Sequence, residues 1–95
     1  MGPLVSFEQQ ARVLSYIASG KEEGAQILTG GDHYLGTFEN GCFVPPTVFS
    51  GIHNEMKIVR EEIFGPVLAA APFEDLDEIV ARANDTEYGL AASVW

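Results

Sequence analysis

The sequence is short of several things at once, and each shortage removes a class of protein. It has one cysteine, Cys42, in 95 residues. A single thiol makes no internal disulfide and cannot build a zinc site from several thiolates. A disulfide-stapled secreted mini-protein is therefore excluded, and a reducing, cytoplasmic setting is expected. Bases are scarce: five Lys and Arg against fourteen Asp and Glu leave a net charge of −9. That field repels phosphate backbones and anionic lipid, so neither nucleic acid nor membrane is an expected partner. Long apolar runs are missing too. The longest, Ile63–Phe73, is broken by Gly65, Pro66 and Pro72, and it is far shorter than the roughly 20 residues that cross a bilayer. The first residues lack the basic patch and apolar run of a signal peptide.

What is present is the composition of a folded chain. Apolar residues make up 46% and aromatics 11%, too many for a disordered tail. Ninety-five residues make at most one domain, and a chain this short buries only about 60–65% of its unfolded surface, so it is marginal by itself.

Ser6 and Gln9 have the spacing of a capping box, in which cap and third residue satisfy each other's backbone donors. The spacing predicts a helix from there to Gly24, with Phe7, Ala11, Leu14 and Ala18 as its apolar stripe and Ile17 beside them. Ala25–Leu28 reads as a buried strand stopped by Gly30-Gly31. Residues 32–41 read as a loop, and Cys42–Val44 and Thr47–Phe49 as extended pieces flanking Pro45-Pro46. Val67–Ala71 is a further strand. Asp75 caps a second helix with Glu78 at its third position and Leu76, Ile79, Val80 and Ala83 as the stripe. Leu90–Trp95 reads as an apolar strand with no turn signal or polar tail after it. Residues 1–95 are therefore expected to be a single incomplete segment of an α/β domain, with helices packed on a mostly parallel sheet.

The least ordinary stretch is Met56 to Val67. If it is extended around Glu62, Glu62 and Phe64 face one side and Ile63 the other, and Gly65-Pro66 then turns the chain. An ionised carboxylate offers two acceptor oxygens that match the vicinal hydroxyls of a ribose. An aromatic ring two residues on suits packing against that sugar. From the residues alone, a solvated carboxylate beside a core phenylalanine is the favoured reading of the same stretch. Other candidates are weaker. His33 and His53 lack metal-site spacing and read as loop histidines, and Cys42 reads as a small buried apolar residue. Gly24, Gly30 and Gly31 do not form a phosphate-binding loop, and Tyr34, Phe38 and Phe43 have no interleaved bases.

The same residues carry a resemblance. Glu61-Glu62-Ile63-Phe64-Gly65-Pro66-Val67 resembles the Glu-Glu-Ile-Phe-Gly-Pro-Val segment of the NAD(P)-dependent aldehyde dehydrogenases. Gly2-Pro3-Leu4-Val5-Ser6, Tyr16-Ile17 through Gly24-Ala25, Gly41 through Phe49, and Ala83 through Ala92 resemble four further blocks of that family, in the family's order. The resemblance implies part of a catalytic domain that oxidises an aldehyde to a carboxylic acid with NAD or NADP. It implies that Glu62 binds the nicotinamide-side ribose hydroxyls and that Phe64 packs against that ribose. Cys42 stands where the family commonly has tyrosine, so it is not the nucleophile. The nucleophilic cysteine, the water-activating glutamate and the oxyanion-stabilising asparagine belong to family segments outside this chain, which holds no catalytic residue of its own. The implied parent is a cytoplasmic homodimer or homotetramer acting on a small aldehyde. The alternative is a non-catalytic relative that keeps the fold for a structural or regulatory role.

Overall fold

The computed structural model describes all 95 residues. Helix α1 (Phe7–Glu22) starts where the capping pattern places it: the Ser6 hydroxyl oxygen accepts the Gln9 N–H at 3.1 Å. Strand β1 (Gln26–Thr29) follows, then a loop containing a single 3₁₀ turn (Gly36–Phe38). Strand β2 (Thr47–Ser50), a one-turn helix α2 (Lys57–Arg60), strand β3 (Val67–Ala69) and helix α3 (Leu76–Asn84) complete the order. The α/β class expected from the sequence holds. The sheet is mixed, in the order β1-β2-β3: β1 runs antiparallel to β2, whereas β3 runs parallel to it with Thr47 opposite Val67 and Phe49 opposite Ala69. The β2–β3 connection includes α2, which supplies the reversal that a parallel pair needs.

Strand β2 alternates as a half-buried strand should, with Thr47 and Phe49 inward. The Thr47 hydroxyl donates to the Pro45 carbonyl and accepts the Gly31 N–H, both at 3.0 Å, so the buried oxygen is satisfied. Cys42–Val44 does not extend the sheet, because Pro45 and Pro46 carry no N–H to donate to a ladder.

The core is Val13, Tyr16 and Ile17 of α1, Val44 and Phe49, Met56 and Ile58, and Ile63. Here the helix reading needs correction. The period was right and the phase was not: Phe7 is 62% exposed, Ala11 and Ala18 are exposed, and Leu14 is only partly buried. The inward face runs Val13, Tyr16, Ile17, Gly20. Gly20 belongs to it because a β-carbon there would sit 3.0 Å from Phe49 Cζ and Ile58 Cδ1. A missing side chain, which gives no apolar signal, is what admits the core.

Two further expectations fail. Helix α3 begins at Asp75, whose carboxylate accepts from the N–H groups of Asp77 and Glu78, but no residue of α3 is buried. Leu76 is 72% exposed and Val80 58%. Of the stripe only Ile79 is half-buried, while Leu76, Val80 and Ala83 stay exposed. Leu90–Trp95 forms no strand and lies open to solvent, because no neighbouring strand takes up its backbone groups.

Gly65 packs as closely as Gly20. A β-carbon at Gly65 would lie 2.5 Å from Val13 Cγ2 and 3.0 Å from Cγ1. Val13 is fully buried and stiff at χ1, so it has nowhere to go. Gly65→Ala is expected to destabilise the fold by about 1–3 kcal/mol, read as a lowered melting temperature. An unchanged melting temperature would mean that α1 and this turn are not in contact.

Candidate cofactor-binding site

The segment from Glu61 to Gly65 lies against helix α1, which grips it residue by residue. The Tyr16 hydroxyl donates to Glu61 Oε2 at 2.7 Å. Arg12 Nη2 donates to the Glu62 carbonyl at 3.3 Å. Gln9 Nε2 reaches the Ile63 and Phe64 carbonyls at 3.4 and 2.9 Å. Gly65 then packs on Val13. Gln9, Arg12, Val13 and Tyr16 are spaced to share one helix face, so a single face of α1 reads five consecutive residues.

The backbone at Glu61 is extended, with φ −117° and ψ 151°, and successive side chains alternate. Glu61 turns to Tyr16, Ile63 enters the core, and Glu62 and Phe64 are left facing out. Glu62 and Phe64 are both exposed, but the backbone at Phe64 is left-handed and not extended, so alternation alone does not put the two on one side. The Glu62 carboxylate accepts no hydrogen bond from the chain; only its carbonyl is engaged. Phe64 is 79% exposed and has φ +59°, the one non-glycine residue in the left-handed region. For a bulky side chain that conformation costs about 1–2 kcal/mol. A large apolar ring held in water at the expense of backbone strain gains nothing for the fold, and such strain concentrates where a ligand is met.

Glu62 also borders an open cleft of about 630 Å³ whose other wall is Ala83, Asn84, Thr86, Tyr88 and the residues to Ala92. Arg60 fixes that wall, its Nη1 donating to the Asp85 carbonyl at 2.8 Å and to the Asp85 carboxylate at 2.6 Å. Arg82 Nε donates to Asn54 Oδ1 at 3.0 Å and holds α3 from the other side. A carboxylate with both oxygens free, beside an exposed ring and open space, fits a sugar diol carrying a flat ring system. No three His, Cys, Asp or Glu side chains converge as a metal-holding group. His33 and His53 sit in exposed loops, and Cys42 is a half-buried free thiol whose carbonyl accepts the Leu4 N–H.

Compared with known proteins, the whole chain, residues 1–95, matches the model of the aldehyde dehydrogenase family. The chain belongs to the aldehyde dehydrogenase family. It is 59% identical over all 95 residues to DhaS of Bacillus subtilis (strain 168), which carries the name of an aldehyde dehydrogenase. A Mycobacterium tuberculosis aldehyde dehydrogenase solved with NAD+ is 50% identical, with a TM-score of 0.94 over the whole chain. The NAD+ complex of an aldehyde dehydrogenase from Bacillus cereus is 52% identical, with a TM-score of 0.90. The chain spans 19%, 20% and 19% of these three proteins, about a fifth of an aldehyde dehydrogenase.

Sequence reasoning found the outward pair and missed what holds it. Gln9, Arg12, Tyr16 and Glu61 were not among its site residues. Their signal is the helical spacing of polar and aromatic positions on the face that also carries Gly20, a pattern masked by the louder apolar positions Phe7, Ala11 and Ala18.

The surroundings of Tyr16 weaken it as an acid. Its pKa is raised above 10, chiefly because its hydroxyl donates to the Glu61 carboxylate and then because of burial, with Arg12 opposing. Between about pH 10 and the raised value, the folded chain holds a proton that an unfolded tyrosine has lost. Stability from this group is therefore complete below about pH 10 and falls as pH rises through that window. Denaturant melts at stepped alkaline pH are expected to show this fall, and Tyr16→Phe to remove its share. An identical slope in the variant would mean that the hydroxyl does not meet Glu61.

Proposed function

We propose that residues 1–95 are one segment of the catalytic domain of a larger aldehyde dehydrogenase, and that this segment binds the nicotinamide-side ribose of NAD+ or NADP+ through Glu62 and Phe64. The observation that carries the reading is that the two stand exposed, two residues apart, on a segment held by α1. One is a carboxylate with no protein donor, and the other is a strained aromatic ring turned to solvent. Family membership over the whole chain and the NAD+ complexes of two relatives support the cofactor.

In this reading the two Glu62 oxygens accept the ribose hydroxyls through charge-assisted bonds, which are about twice as strong as neutral ones. Phe64 covers the sugar, displaces water from it and limits the poses the attached ring adopts. The bound nicotinamide supplies a hydride acceptor for the oxidation of an aldehyde to a carboxylic acid. The chain's own residues bind and orient; none attacks the substrate. Cys42 lies in a turn, with its carbonyl accepting the Leu4 N–H. The nucleophile, the water-activating carboxylate and the oxyanion donor are assigned to the rest of the parent protein. A small aldehyde as substrate, a cytoplasmic location and assembly as a homodimer or homotetramer belong to the same proposal and rest on the resemblance. No helix of the chain is long and apolar enough to cross a membrane.

Glu62→Gln in the full-length enzyme keeps the shape and loses the charge. It is expected to raise KM for the dinucleotide about tenfold, equivalent to about 1–2 kcal/mol, with the melting temperature unchanged because the side chain is exposed. Steady-state kinetics that match the parent would remove Glu62 from the site. The purified 95-residue chain, mixed with aldehyde and NAD+, is expected to form no NADH. Steady turnover there would contradict the assignment of the reactive groups to other segments.

A further inference from the structure

Two glutamates stand side by side at positions 61 and 62, and only the second is accounted for by a ribose. The first is engaged in a contact with no obvious value as packing. Tyr16 is 5% exposed, in the middle of the core face of α1, and its hydroxyl reaches out of that core to Glu61 Oε2 at 2.7 Å. The phenol ring is fixed from two directions, with the Lys57 ammonium 4.9 Å and the Arg12 guanidinium 5.6 Å from its centre. Arg12 in turn holds the Glu62 carbonyl at 3.3 Å. The peptide unit that carries Glu62 is therefore tied on both sides: by the side chain before it and by its own carbonyl.

We infer that Tyr16 and Glu61 are a positioning pair for the cofactor site. The Tyr16 hydroxyl holds the Glu61 carboxylate against α1, and strand alternation then turns the next carboxylate, Glu62, into the cleft. Without the hydroxyl, Glu61 is an exposed carboxylate with no partner next to Glu62, on a segment still held by Ile63, Gln9 and Arg12. Its charge then swings free beside Glu62, and their mutual repulsion broadens the orientations that the Glu62 carboxylate takes. The pair acts through Glu62 and does not touch the dinucleotide. Its role rests on the reading of Glu62 as the ribose ligand.

The test uses the full-length enzyme and measures the NAD+ dissociation constant by titration calorimetry without aldehyde, alongside the melting temperature and both KM values. Tyr16→Phe removes one oxygen from a ring that otherwise keeps its packing. It is expected to weaken NAD+ binding about five- to tenfold, with KM for the aldehyde within about twofold of the parent. Glu61→Ala should match it, and Glu61→Gln, whose amide oxygen still accepts from the phenol, should restore most of the affinity. The Tyr16→Phe/Glu61→Ala double variant should bind no more weakly than Tyr16→Phe, since both single variants break the Tyr16–Glu61 bond and the long contact from Arg12 Nη2 at 3.5 Å is already lost in Tyr16→Phe. Unchanged NAD+ affinity in Tyr16→Phe while Glu62→Gln weakens it overturns the positioning role alone. Unchanged affinity in both overturns the ribose-binding reading as well. Multiplying effects in the double variant, or a fall in melting temperature with every constant shifting together, reduces the pair to a structural contact and also overturns the inference.

Discussion

Val13 meets the backbone of Gly65 with no space for a β-carbon between them, and the rest of the site depends on that approach. It brings α1 close enough for Gln9, Arg12 and Tyr16 to reach across to the segment beside it. Those three side chains take three of the segment's carbonyls and one carboxylate. The segment has no sheet partner over residues 61–65, so α1 takes the place of a neighbouring strand. The helix is itself anchored by a second close approach at Gly20, where Phe49 and Ile58 press against its backbone. Two missing side chains thus set the spacing of helix, sheet and loop.

The consequence is a division of labour along four residues. Glu61 and Ile63 tie the segment inward through a hydrogen bond and burial respectively, while Glu62 and Phe64 are presented outward. The left-handed backbone at Phe64 costs about 1–2 kcal/mol, and the Gln9 bonds to the Ile63 and Phe64 carbonyls, each worth about 0.5–1.5 kcal/mol net, are of the size needed to offset it. The fold thus holds, at little net cost, a conformation that leaves the Phe64 ring exposed, as the proposed ribose contact requires. The surrounding acidity is also consistent with this role. With a net charge of −9, the chain suits recognition of sugar hydroxyls by a carboxylate and not of phosphate by a basic cluster.

Much of the chain was legible because its signals are local. Ser6 and Asp75 cap α1 and α3, and Thr47–Phe49 and the Val67 run are strands. The outward Glu62 and inward Ile63 followed from an extended backbone, whereas the left-handed turn at Phe64 did not. What was not legible depends on partners far along the chain. The inward face of α1 is chosen by what Gly20 and Tyr16 meet, at Phe49, Ile58 and Glu61, and no apolar count reveals a glycine as a contact. The short helix α2 begins where the Glu23 carboxylate, 34 residues earlier, accepts the Lys57 N–H. The stripe on α3, Ile79 apart, and the apolar run after Gly89 state a demand for burial that nothing within the chain meets. Sequence pattern shows that a face is apolar; it does not show what covers it.

The central claim is that α1 presents Glu62 and Phe64 outward as a ribose clamp. The most direct measurement is a crystal structure of the full-length protein with NAD+ bound. The expected result has Glu62 oxygens about 2.5–2.7 Å from the hydroxyls of the nicotinamide-side ribose, Phe64 against that sugar with its φ still positive, and Tyr16 bonded to Glu61. A bound dinucleotide whose ribose lies away from Glu62, or a Phe64 that relaxes to negative φ and turns into the core, would contradict it.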